Sequence, residues 1–404
     1  MGCDATHSIW RPAAAAAAAL LLLGAPAAGS ESESGSGSGS ETERNRFSFH
    51  PSIQVTAVVD DNVRLREDDS EGDLGVFFFP RVELGYQGHW FNLGADLGAD
   101  IRRYVDGASP SDEFFRMSGF AEVGLLPGLT FQISDAFAPT PVDLGKPEDH
   151  SANLVQTNRL VARFRYWREL PGGREMLLSL QGTRLSSESF ATDIGNGVID
   201  DDFHADFWEG ALLGEVQSPL SDRTSAFLRT HLRYRTFDDS SVSDFGDLAI
   251  LLGLRTHWFG NVDFDVAGGY GLLAFDSGSK NRFLGQANLR YRIADGTTLR
   301  LSFVNRNTAD IVGNDFVETT GKIGLERRFG ERTAASIDLF LSRINNEVWD
   351  SGANLFGGAE ARVRRQLSRR TQLELTYRYW DNGGDYSFDD FSQNQLSLVF
   401  SYRR

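Results

Sequence analysis

Cysteine is all but missing: Cys3 is the single one in 404 residues. It lies ahead of the chain's apolar run, too early to be a lipoprotein acylation site. A disulfide framework is excluded, so an exported chain of this kind must draw its stability from elsewhere, and a large sheet suffices. Long hydrophobic runs are missing too. Mean hydropathy is −0.30, and the only apolar run, AAAAAAALLLLG at 13–24, is too short to span a bilayer as a mature helix. A helical membrane protein is therefore excluded. Positive charge is in deficit, with 40 Lys and Arg against 56 Asp and Glu and a net charge of −16, which speaks against nucleic-acid binding. No Walker or dinucleotide motif occurs. The mature histidines, His50, His89, His150, His204, His231 and His257, are scattered and show no metal-ligand spacing. No cofactor is expected, and the chain is not read as an enzyme.

What is there begins with a leader. Arg11 precedes the run at 13–24 and Ala25-Pro26-Ala27 follows it, a small-x-small cleavage pattern. Residues 1–28 read as a secretory signal peptide. Residues 29–46 open with GSESESGSGSGSETERN, which has no apolar side chain to bury and reads as a flexible, disordered periplasmic linker. From 47 to 404 the chain is rich in Gly and aromatics, and segments of 10–17 residues alternate polar with apolar. RTQLELTYRYWDN at 370–382 is typical: Leu373, Leu375, Tyr377 and Tyr379 fall on one parity, Gln372, Glu374, Thr376 and Arg378 on the other. A strand sends those two sets to opposite faces.

Short turn signals lie at 86–91, 126–129, 170–175, 219–224, 258–263, 293–298, 328–333 and 366–371. Longer, acidic connections lie between them at 66–73, 105–112, 139–152, 191–202, 238–244, 276–281, 308–315 and 381–390. Tight turns at one end and longer loops at the other predict an all-β, transmembrane, antiparallel up-and-down barrel of about 18 strands, with both termini on the periplasmic, tight-turn side. A soluble propeller or solenoid is the competing fold, but no blade signature appears.

The barrel predicts an uncharged outer face through the middle of each strand. Phe91, Leu93, Ala95, Leu97, Ala99 and Ile101 form one such set, and Ala226, Leu228, Thr230, Leu232 and Tyr234 another. Outward aromatics gather near the tight turns (Tyr86, Phe91, Trp258, Tyr291, Phe329) and near the loops (Trp208, Trp349, Tyr379), as two interface girdles. The opposite parity lines the lumen. It is net basic although the whole chain is acidic. The candidate guiding residues are Arg163, Arg165, Arg229, Arg233, Arg235, Arg290, Arg292 and Arg300, whose planar guanidinium forks suit carboxylate, sulfate or phosphate.

Three readings of such a lumen stay open: a channel for an anionic polymer or solute, a general anion-preferring diffusion porin, and a closed structural or adhesion barrel filled by Arg–carboxylate pairs. His231 joined to a Ser and an Asp would make a lipid hydrolase, but a polar lumen residue is the plainer account. The acidic stretches at 68–73, 200–202 and 389–390 lack EF-hand spacing and read as solvated loops rather than calcium sites.

The first hairpin, VTAVVDDNVRLREDDSEGDLGVFFFPRVELGYQG, and the following WFNLGADLGADIRRY resemble the beta-barrel porin 2 group of bacterial outer-membrane barrels. Several of those are linked to capsule or exopolysaccharide secretion. The resemblance covers about residues 51–104. It implies polysaccharide export with a periplasmic partner, insertion into outer-membrane lipid by the barrel-assembly machinery, and an anionic polysaccharide or small anion as cargo. An arginine-lined lumen with about 18 strands is also similar in architecture to the alginate-export porin. Such barrels usually end on an aromatic residue; here Phe400 and Tyr402 precede Arg403 and Arg404.

Overall fold

The computed structural model describes residues 46–63, 71–105, 112–141, 154–188, 190–193, 199–203, 205–239, 242–275, 278–309, 315–346, 353–384 and 390–404. The leader, the linker up to residue 45, Trp349, His150, His204 and much of the acidic connections lie outside them.

The first strands are β1 (Arg46–Asp60), β2 (Asp73–Gln87), β3 (Phe91–Tyr104), β4 (Glu113–Leu126), β5 (Leu129–Pro141), β6 (Leu154–Leu170) and β7 (Arg174–Ser187). A short ribbon follows, β8 (Phe190–Asp193) with β9 (Ile199–Phe203). Then come β10 (Phe207–Ser221), β11 (Thr224–Phe237), β12 (Phe245–Trp258), β13 (Val262–Phe275), β14 (Gly278–Ala294) and β15 (Thr297–Ala309). The last are β16 (Asp315–Phe329), β17 (Thr333–Asn346), β18 (Ala353–Gln366), β19 (Thr371–Gly384) and β20 (Phe391–Arg403). Every strand except β8 and β9 belongs to one 18-stranded antiparallel sheet, and β1 pairs with β20 to close it. Closure leaves no edge, which is what a sheet in lipid requires.

Each of the eight expected tight turns joins two strands at one end of the barrel. Gly128 shows why such a turn needs its residue. It sits at φ +80°, and a Cβ there would collide with the Trp167 carbonyl oxygen of the neighbouring hairpin, whereas only glycine takes that conformation at no steric cost. At 258–261, Phe259 and Gly260 both have positive φ, the pattern of a type I′ hairpin.

Three expectations need correction. The stretch 276–281 is not a long loop, because β14 already begins at Gly278. The connection at 191–202 contains the β8–β9 ribbon. A ninth connection, between Asn346 and Ala353, carried no recognised acidic signal. In the first two cases strand pairing overrode a polar local sequence.

The outer face is largely apolar through its middle, with Asp135 of β5 a charged exception on the outward parity. Leu228, Leu232, Ile250, Leu252, Phe303, Ile323, Leu339 and Leu398 are all exposed and sit on the outward parity. A belt of that kind meets lipid. The seam between first and last strands has its own fastening. β1 meets β20 from Ser52 opposite Arg403 to Asp60 opposite Gln395, whereas its ladder with β2 runs over the full strand. At the loop end of the seam, Asn394 donates its backbone N–H and its Nδ2 to the Asp61 carboxylate, at 2.6 and 2.7 Å. Asn62 Nδ2 donates to the Ser392 carbonyl at 2.9 Å, and Gln393 Nε2 to Asp60 Oδ2 at 2.7 Å. The Asp-Asp-Asn of the first hairpin therefore clasps the barrel shut.

Candidate functional site

Residues directly opposite one another in a ladder share a face, so register defines the lumen. The ladders put Arg163, Arg165, Arg229, Arg233, Arg235, Arg290, Arg292 and Arg300 all on the inward face. Asp60, Asp73, Asp247, Lys280, Arg282 and Glu318 share that face. They are lumen charges that the strand pattern alone did not single out, since most lie close to strand ends.

The eight arginines do not form one site. They divide by what register places beside them. On β11, Arg229 stands opposite Glu215 and Arg235 opposite Glu209. Arg229 Nε lies 2.8 Å from Glu215 Oε2, and Arg235 Nη2 lies 2.8 Å from Glu209 Oε2. Arg233 Nη2 is 3.7 Å from Asp247 Oδ2. Arg255 on β12 joins the same wall, 2.7 Å from Glu215 and 2.9 Å from Asp265. Phenylalanines face inward between these charges. Arg235 stacks 4.0 Å above Phe207, Arg255 4.4 Å above Phe227, and Arg233 5.1 Å above Phe245. Cation–π contacts of this kind strengthen where water is excluded, and Phe227 and Phe245 are each 1% exposed. The signal for them was Phe227 at the parity of Arg229 in FLRTHLRYRTF.

β6 is different. Arg163 and Arg165 are exposed into the lumen, and so is Arg159 on the same face. Their cross-strand neighbours are Ala136, Gln132 and Thr130 on β5 and Leu185, Gln181 and Ser179 on β7. None is acidic. Arg163 Nε donates to Gln181 Oε1 at 3.0 Å, and none of the three has a carboxylate within 4 Å among the described residues. β6 thus carries an uncompensated basic stripe. On β14 and β15, Arg290 is exposed without a carboxylate, Arg292 Nη2 donates to the Gly260 carbonyl at 2.8 Å, and Arg300 lies 3.2 Å from Glu326.

The two halves of the lumen also differ. Val58, Phe77, Asp100, Arg102, Leu185, Phe207, Leu273, Phe356 and Gln393 are all buried. All face inward, and all lie toward the loop ends of their strands. Asn307 Nδ2 on β15 donates to Asp247 Oδ1 on β12 at 2.7 Å, which spans two intervening strands. β14 and β15 are paired only up to Gly285 opposite Asn305, so upper β15 leans across the lumen. Just beyond β11, Asp238 accepts hydrogen bonds from the Arg184 guanidinium of β7, which hold its carboxyl below the usual carboxylate range. The turn-side half is open. It contains a recess of about 740 Å³ lined by residues of β10 to β15, among them Arg255, His257, Asp263, Arg290 and Arg300.

His231 Nδ1 lies 3.7 Å from Asp247, as a lumen polar residue beside Arg233. No group of three or more His, Cys, Asp and Glu side chains among the described residues could hold a metal ion.

No family model matches the chain, and no curated protein matches it. Solved structures do. The outer membrane protein OpdK from Pseudomonas aeruginosa is 12% identical over 88% of this chain and 98% of that one, with a TM-score of 0.50. OccK9 (OpdG) from the same organism is 13% identical over 89% and 98%, with a TM-score of 0.53. OccK2 (OpdF), also from P. aeruginosa and solved in complex with glucuronate, is 11% identical over 88% and 96%, with a TM-score of 0.52. At such identities the likeness is one of fold. That fold, together with the apolar belt, puts the chain in a bacterial outer membrane.

Proposed function

We propose that this barrel is an outer-membrane channel for anionic solutes, guided by lumen arginines that have no carboxylate of their own. The observation that carries this reading is the β6 stripe. Arg159, Arg163 and Arg165 face the lumen, exposed and without a counter-charge. Charges in a low-dielectric channel focus the local field and raise the concentration of the opposite ion. Arg290 and Arg300 add positive potential six and seven strands further round the barrel. Arg229, Arg233 and Arg235, held by Glu215, Asp247 and Glu209, build the wall between these patches. The glucuronate bound by OccK2 agrees in sign with a carboxylate cargo.

Capsule or exopolysaccharide export with a periplasmic partner is the narrower reading, and it rests on the resemblance over 51–104. The buried side chains of the outer half favour small solutes over a thick polymer. The same burial supports a second reading, a closed barrel with a structural role. Insertion would proceed through the barrel-assembly machinery reading the end of β20. No step calls for catalysis or a cofactor.

Planar-bilayer recording of the refolded barrel under a salt gradient separates these readings. The channel reading expects an anion-selective reversal potential that moves toward zero in R159Q/R163Q/R165Q. Silence from a folded barrel would leave the closed reading, and unchanged selectivity in the triple variant would remove the β6 stripe from any role in guidance.

A further inference from the structure

The recess in the turn-side half has one wall whose polar groups are already satisfied. Arg255 is engaged by Glu215, Gln217 and Asp265, and Asp265 also accepts from Gln286. The facing wall, from β14 and β15, is not. Register sets Arg290 opposite Arg300 and, one step higher on the same face, Asn288 opposite Ser302. All four line the recess. Opposed residues in such a ladder have Cα atoms about 4.5–5.5 Å apart. The next residue on the same face is about 6.8 Å along the strand. The four side chains therefore form a two-by-two grid, with two guanidinium groups in one row and an amide and a hydroxyl in the other.

Like charges placed directly opposite destabilise a sheet. Only Glu326, 3.2 Å from Arg300, offsets the pair. Asp263, which stands opposite Arg290 on β13, is engaged by His257, and Arg290 has no carboxylate within 4 Å among the described residues. The side chains of Asn288 and Ser302 likewise have no hydrogen-bond partner there. The grid thus offers cationic donors in one row and neutral donors and acceptors in the other.

We infer that this recess is a binding site for a monoanionic hydroxy acid of about the size of a six-carbon sugar acid. Arg290 and Arg300 take the carboxylate between their forks, where each charge-assisted bond also relieves the repulsion between them. Asn288 and Ser302 meet hydroxyl groups further along the same molecule. A single negative charge suits the site, because Glu326, Asp263 and Asp265 already surround it and would repel a second. Acetate reaches only the arginine row.

The inference rests on the anion-channel reading, and the two fail separately. The test is isothermal titration of the full chain in detergent micelles with sodium glucuronate, with sodium acetate as the comparison. Glucuronate is expected to bind at one saturable site, more tightly than acetate. R290Q/R300Q is expected to weaken it by about tenfold or more. N288A/S302A is expected to weaken glucuronate severalfold and leave acetate unchanged, which keeps the test alive if the arginine variant does not fold. Unaltered affinity in either variant, equal affinity for the two anions, or no binding overturns the site. Anion-selective current without glucuronate binding would remove the recess alone. Glucuronate binding lost in R290Q/R300Q, in a barrel without anion selectivity, would keep the recess and remove the channel reading.

Discussion

Arg235 is 7% exposed, paired with Glu209 and stacked on Phe207. Arg165 has the same side chain and faces the same lumen, yet it is exposed and has no acidic neighbour. The difference lies in the opposing strand: Glu209 stands across from one, Thr130 and Ser179 across from the other. Removing the first guanidinium strands a buried carboxylate, which costs about 3–5 kcal/mol. Removing the second leaves only water to fill the space, and exposed substitutions usually stay within about 0.5 kcal/mol. We therefore expect R235L to lower the urea midpoint of the refolded barrel markedly, while R165Q leaves the midpoint in place and weakens anion selectivity. Equal midpoints for the two variants would show that burial beside Glu209 does not stabilise the wall.

At the scale of the element, the seam between β1 and β20 is the one ladder whose partners lie at opposite ends of the chain. Every other neighbouring pair follows in sequence, apart from β7 and β10, which are separated by the β8–β9 ribbon. A turn holds a hairpin's register, but nothing covalent holds this one. The Asp61–Asn394 and Asn62–Ser392 bonds supply the missing constraint at the loop end. Each hydrogen bond contributes about 0.5–1.5 kcal/mol net, more where the acceptor is charged. D61A/N62A should lower the temperature at which the folded barrel loses its compact migration in detergent gels. If that temperature holds, the backbone ladder alone closes the barrel.

For the whole molecule, the governing fact is that one parity meets lipid and the other meets the lumen. Leu232 and His231 are adjacent on β11, yet they belong to opposite solvents. Leu232 stands between Leu212 and Leu248, while His231 faces Asp247 from the lumen. An arginine in place of Leu232 should cost about 2–4 kcal/mol near mid-bilayer. The same residue in place of His231 should be tolerated beside Asp247. Folding yield in phospholipid vesicles against urea measures both, and a comparable loss in the two variants would contradict the assignment of faces.

The strand count, the eight tight turns, the shared end at which the first strand begins and the last strand finishes, and the face of each lumen arginine were legible in the order of residues. All four follow from local rules, namely a period of two along a strand and the chemistry of turns. The ribbon at β8–β9, the early start of β14, the inward lean of β15, the packed outer half and the recess were not. Nor was the division of the arginines into paired and free, because that depends on register between separate strands. Glu215 is shared by Arg229 and by Arg255, 40 residues away, and Asp60 meets Gln393 across 333 residues. Alternation along one strand determines which way a side chain points, but what it meets there is decided only when the other strands of the barrel are in place.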